Sequence, residues 1–151
     1  MEDAALASET GQGGGRMRPP GDFLRRIGED GKIVIRSPNW VGEAVMSLPA
    51  IQAVRQSRPG TPISILAKPW VADLFRGNPE GCQVIVYESP GNHQGLRGRW
   101  ALARKLRQER FNSGILLPNS FDSALVFFLA GIPHRAGYNT DGRRIFLTHA
   151  V

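Results

Sequence analysis

From Lys32 onward, short apolar runs alternate with longer segments whose apolar positions recur every three or four residues. The short runs, rich in β-branched residues, predict strands at Lys32–Arg36, Ile63–Ala67, Gln83–Tyr87 and Ser113–Leu117, with a further one near Arg135–Tyr138. Their nearly continuous apolar character suits strands covered on both faces, as in a parallel sheet. The longer segments predict helices at Glu43–Ser57, Pro69–Arg76, Arg99–Arg110 and Ser120–Ala130, the last ending at Gly131. Strand–helix alternation implies right-handed crossovers and a Rossmann-like open, mostly parallel α/β sheet with helices on both faces. In such sheets ligands bind beyond the carboxyl ends of the strands. Three polar loops should therefore open on that edge: Ser37–Gly42, Lys68-Pro69-Trp70 and Pro118-Asn119-Ser120.

Residues 1–21 lack this periodicity and are rich in Gly, Ser, Ala and Pro, so they read as a tail preceding a single domain at 22–151. "GQGGGR" follows no strand and is followed by no Gly-Lys-Ser/Thr, and Gly42 stands alone in the first loop. Neither a phosphate loop nor a dinucleotide fingerprint is present. No apolar run approaches the roughly 20 residues of a bilayer span, and the first residues lack a secretory pattern, which points to the cytoplasm. The single cysteine, Cys82, falls in an apolar run and reads as a small buried thiol. Of the formal charge of +6, most is concentrated in residues 97–110, with six Arg/Lys against one Glu. That segment is either a solvated helix face or the footprint of an anionic partner.

The first loop carries groups suited to a sugar. Ser37 and Asn39 offer a hydroxyl and an amide, Trp40 an apolar face, and Gly42 room for close backbone approach. Glu43, in the first helical turn, has the chemistry of a general base, and its position favours the ionised form. The same carboxylate also serves simply to complement the helix dipole. Likewise Asn119-Ser120 reads as a helix cap as well as a ligand contact, and Trp70 as a core anchor. His93, His134 and His149 have no metal-ligand spacing.

Three stretches, "SPNWVGEAVMSLPAIQAVRQSRPGTPISILAKPWVADLF", "LLPNSFDSALVFFLAGIPHRAGY" and "GRRIFLTHAV", together resemble the lipopolysaccharide heptosyltransferases. The resemblance runs from about Lys32 to the last residue. It implies one lobe of a two-lobed GT-B type glycosyltransferase, the amino-terminal lobe that receives the acceptor. A carboxyl-terminal lobe holding ADP-heptose is not matched by this chain, which is expected to be inactive alone. The family usually has aspartate at the position of Glu43, regarded as the base that activates the acceptor hydroxyl. Glutamate keeps the carboxylate and adds a methylene.

The resemblance implies an inverting single displacement, in which a hydroxyl of the lipopolysaccharide inner core attacks the anomeric carbon of ADP-heptose. Glu43 would be the base. Asn119, Ser120 and the backbone around Gly42 would orient sugars, and Lys68 and Arg135 would engage anionic groups of the acceptor. No cofactor or metal is expected, and no nucleic acid. The basic segment, through Arg99, Arg104 and Arg107, is a candidate for peripheral contact with the inner membrane. The rival reading is a non-catalytic basic α/β module for phosphorylated ligands or nucleic acid. Against it, no RNA-binding signature is visible and the basic run is not interleaved with aromatic residues.

Overall fold

The computed structural model describes residues 31–77, 81–88 and 95–151. The tail expected at 1–21 and His93 lie outside the described residues. Six strands form one sheet: β1 (Lys32–Arg36), β2 (Ile63–Ala67), β3 (Cys82–Val86), β4 (Phe111–Leu116), β5 (His134–Gly137) and β6 (His149–Ala150). Their order is β3-β2-β1-β4-β5-β6, with every pairing parallel. The helices are α1 (Val41–Ser57), α2 (Pro69–Phe75), α3 (Gly95–Glu109) and α4 (Phe121–Leu129), followed by a 3₁₀ turn at Arg143–Phe146.

Alternation along the strands sends side chains to two separate cores. Ile33 and Ile35 of β1, with Ile63, Ile65 and Ala67 of β2, pack with Ala44 and Ile51 of α1 and Val71, Ala72 and Phe75 of α2. Val34, Leu66, Ile85 and Leu116 point the other way, onto Leu102 and Leu106 of α3 and Ala124 and Phe127 of α4. Helices thus cover both faces. Winding runs from β1 toward β3, then restarts at β4 on the other side of β1. The switch point lies between β1 and β4, where Arg36 is level with Leu116. The loops leaving these two strands diverge there, and an open α/β sheet binds ligands at such a divergence.

The structure shifts several expected boundaries. Helix α1 begins at Val41, two residues before Glu43, because the Trp40 carbonyl already accepts the Ala44 N–H at 2.9 Å. Helix α3 begins at Gly95 rather than Arg99; Gly98 does not break it, since it is buried on the packed face. Helix α4 starts at Phe121, with Ser120 as the capping residue whose hydroxyl accepts the Ser123 N–H. It ends as expected: Gly131 takes the left-handed conformation (φ 71°), and the Ile132 N–H bonds back to the Phe127 carbonyl at 3.3 Å. The two-residue β6 and the 3₁₀ turn were not foreseen, being too short to show a period.

Gly114, mid-way along β4, is required for a different reason. A Cβ there would meet the Phe127 ring at 2.5 Å, and Phe127 is wholly buried. Gly114→Ala should therefore cost about 2–3 kcal/mol through overpacking. The readout is the urea midpoint at unchanged m-value; an unaltered midpoint would refute this packing account.

Candidate functional site at the switch point

A cleft of about 240 Å³ opens at the carboxyl edge of β1, β2 and β4, on the face covered by α3 and α4. Asn39, Lys68, Arg99, Ser120 and Ser123 line it, over a floor that includes Arg36 and Tyr87. Three of the expected site residues, Asn39, Lys68 and Ser120, are thus brought together from three separate loops.

Arg36 organises this floor and was missed in the sequence. It reads there as the polar end of a strand, yet it is 3% exposed. Its Nη1 donates to the Ser37 carbonyl at 2.7 Å and to that of Leu66 at 3.2 Å. Nη2 donates to Asn39 Oδ1 at 2.7 Å and to the Tyr87 hydroxyl, and the guanidinium lies 4.3 Å from the Tyr87 ring centre. Burial pushes this guanidinium down to about 9, which leaves it cationic at neutral pH. Among the described residues no carboxylate pairs with it. Burial, and then the charge of Arg36, also push Lys68 below the usual lysine value.

The first two loops are tied to each other. The Trp70 indole N–H donates to the Asn39 carbonyl at 2.8 Å, and the Lys68 ammonium sits 5.0 Å from the Trp70 ring centre. Trp70 is half exposed, so it anchors a loop rather than the core. Trp40, at 73% exposure, presents its ring to solvent beside α1. A Cβ on Gly42 would meet nothing within 4 Å, which leaves open space over that backbone. Glu43 is exposed in the first turn of α1 and is not among the residues lining the cleft. No salt bridge engages it among the described residues.

The third loop is held from below by Arg143, a second arginine the sequence did not single out. It is fully buried, donating from Nε to the Tyr138 carbonyl at 2.7 Å and from Nη1 to the carbonyls of Pro118 and Ser120. Its Nη2 has no partner. Burial lowers its proton affinity, and Asp141 opposes that shift. Thr140 Oγ1 adds a bond to the Asn119 carbonyl at 3.5 Å. Asn119 itself is exposed and stands outside the cleft lining.

Two expected contacts are corrected. Ser37 is fully buried, and its hydroxyl donates to the Pro38 carbonyl at 3.2 Å, so it does not reach a sugar in the cleft. Arg135 is committed elsewhere: it donates to the Phe146 carbonyl at 2.5 Å and to that of Ile132, and lies 5.4 Å from the Phe128 ring centre. It braces the 3₁₀ turn against α4 instead of facing an anion. Arg99 lines the cleft, where it pairs with Asp122 at 2.9 Å, and also borders the outer face beside Arg97 and Trp100. That outer face keeps Arg97, Arg104, Lys105 and Arg107, beside the exposed Leu96 and Trp100. Among the described residues, no three His, Cys, Asp or Glu side chains cluster as metal ligands, and no helix is long and apolar enough to cross a membrane.

Residues 99–151 match the model of glycosyltransferase family 9 (heptosyltransferase). The chain is 37% identical over 114 residues to lipopolysaccharide heptosyltransferase 2 of Escherichia coli, a match covering 74% of this chain and 32% of that protein. The solved structure of the E. coli ADP-heptose lipopolysaccharide heptosyltransferase II superposes with a TM-score of 0.65 at 34% identity, over 77% of this chain and 33% of that one. A family 9 glycosyltransferase from Veillonella parvula superposes with a TM-score of 0.73 at 19% identity, over 80% and 36%; that likeness concerns the fold. The chain spans about a third of the length of the curated relatives it matches. Over the matched residues it resembles the lipopolysaccharide heptosyltransferases, and its sheet is that of one lobe of a GT-B glycosyltransferase.

Proposed function

We propose that this heptosyltransferase-like lobe receives the acceptor in heptose transfer from ADP-heptose to the lipopolysaccharide inner core. The observation that carries the reading is the convergence of three loops at the switch point, with an exposed carboxylate, Glu43, at the amino end of α1 on the same edge. Asn39 and Ser120 offer hydrogen bonds to acceptor hydroxyls, and Trp40 offers an apolar surface for a sugar ring. Glu43 takes the proton of the attacking hydroxyl as its oxygen bonds to the anomeric carbon. The bond from that carbon to the diphosphate breaks on the opposite face, and ADP departs with the electron pair, inverting the centre. Asn119 and the backbone at Gly42, on the same two loops but outside the cleft lining, are assigned to sugar orientation.

The diphosphate that departs needs charge stabilisation where it leaves, and donor binding is assigned to a second lobe. This chain alone is accordingly proposed to bind acceptor without turning over. Peripheral attachment to an anionic membrane surface fits the outer side of α3, where Arg97, Arg104 and Arg107 lie near the exposed Trp100 and Lys105 is exposed on the same helix.

A chimera tests the reading: residues 31–151 replace the matching stretch of the E. coli enzyme, and transfer from ADP-heptose to inner-core acceptor is measured. Acceptor-dependent release of ADP with inversion at the transferred heptose is expected. A folded chimera that binds both substrates yet releases no ADP would favour the binding-module alternative.

A further inference from the structure

The cleft holds more positive charge than the fold requires. Arg36 is a buried cation whose terminal nitrogens are held by neutral acceptors, three carbonyl-type oxygens and one hydroxyl. Burying a charge without an opposite one is unfavourable unless something compensates it. Lys68 and Arg99 open onto the same space, and among the described lining residues Asp122 is the one carboxylate that opposes the three of them. On the other wall the Ser120 and Ser123 hydroxyls share a 2.6 Å hydrogen bond at the first turn of α4, whose amino end carries partial positive charge. A neutral sugar is served by Asn39 and the serines alone. Cations from β1, the β2 loop and α3, together with two hydroxyls, suit a dianion.

We propose that this cleft is a phosphate site and that its occupant is a phosphate monoester carried by the acceptor sugar. Lys68 and Arg99 contact the phosphate oxygens, the Ser120–Ser123 pair donates the one hydroxyl proton its mutual hydrogen bond leaves over, and Arg36 beneath them supplies fixed positive charge. The phosphate chemistry rests on the cleft itself. The assignment to the acceptor rests on the reading given under Proposed function. A diphosphate of a nucleotide-sugar donor shares the chemistry and is separated by the experiment.

Inorganic phosphate is titrated into the 151-residue chain by calorimetry, alongside Lys68→Gln, Arg99→Gln and Arg58→Gln. Arg58 follows α1 at the opposite edge of the sheet. Lys68 and Arg99 are each partly exposed, and circular dichroism checks that the variants are folded; if Arg99→Gln loses its fold with the Asp122 pair, Lys68→Gln still decides. Each cleft substitution should weaken phosphate binding about fivefold, and added salt should weaken it further, while Arg58→Gln binds like the parent. Parent-like binding by Lys68→Gln, or an equal loss in Arg58→Gln, overturns the site. In a second arm, inner-core oligosaccharide should displace phosphate before phosphatase treatment and not after it. Displacement by ADP and not by phosphorylated oligosaccharide overturns the assignment to the acceptor. None of these readouts needs turnover, so an inactive chimera would overturn heptose transfer and leave the phosphate site standing.

Discussion

Glu43→Gln, introduced into the chimera, is expected to lower kcat by about 10²–10⁴-fold, with little change in KM for either substrate. Glutamine keeps the size and hydrogen-bonding reach of the side chain and removes only its capacity to accept a proton. A hydroxyl is a poor nucleophile until its proton has somewhere to go, so the loss should fall on the chemical step. The exposed placement of Glu43 matters here. A carboxylate packed against protein could not meet a substrate, and this one is exposed in the first turn of α1. Glu43→Asp discriminates further. It retains the base and withdraws it by one methylene, so a moderate change in kcat, far smaller than that of Glu43→Gln, is expected. A fall in both variants alike would point to a positional role in place of proton transfer.

Arg143→Met should be the most damaging change to the site's architecture. Methionine fills much of the volume but donates nothing, leaving the carbonyls of Tyr138, Pro118 and Ser120 without the guanidinium that links them. With hydrogen bonds to a charged group lost in a buried setting, about 3 kcal/mol of stability should go, lowering Tm by roughly 10 °C. The loss also has a local signature. The Pro118–Ser120 turn is no longer fastened, so in the chimera the acceptor KM should rise while that for ADP-heptose stays near its starting value. Arg143→Lys should rescue only partly, since an ammonium cannot fork across carbonyls from two segments. Full rescue by lysine would mean that charge alone, and not the planar fork, is what holds the turn.

Arg36 and Arg143 mark where sequence reading and structure part. The strands were legible because Ile33–Ile35, Val84–Val86 and Ile63–Leu66, the last interrupted only by Ser64, are short apolar runs that a sheet covered on both faces can bury. The three loops followed from that topology, and the structure places Asn39, Lys68 and Ser120 in one cleft accordingly. Arg36 was illegible because a cation at a strand end ordinarily reaches solvent; here Tyr87 from beyond β3 closes over it. Arg143 sits in "GRR", where nothing local distinguishes it from Arg144, which is exposed. The reverse error has the same origin. Ser37 and Arg135 have the chemistry of ligand contacts, but backbone carbonyls claim both side chains. Residue type announces what a group can bond to; only the packed chain decides which partner arrives first.

The pairing of Arg99 with Asp122 at the cleft divides the charge excess into two parts. One part is drawn into the cleft beside Arg36 and Lys68, and the other remains on α3 beside Trp100. A count of charges along residues 97–110 merges them. Their separation in space is what allows the proposed acceptor binding and the proposed surface attachment to be tested independently.

The most direct measurement is the single-turnover rate of heptose transfer by the chimera and by its Glu43→Gln variant, with donor and acceptor both saturating so that only the chemical step is seen. A gap of about a hundredfold or more is predicted. Equal rates would contradict the claim that a carboxylate at the mouth of this sheet removes the acceptor proton.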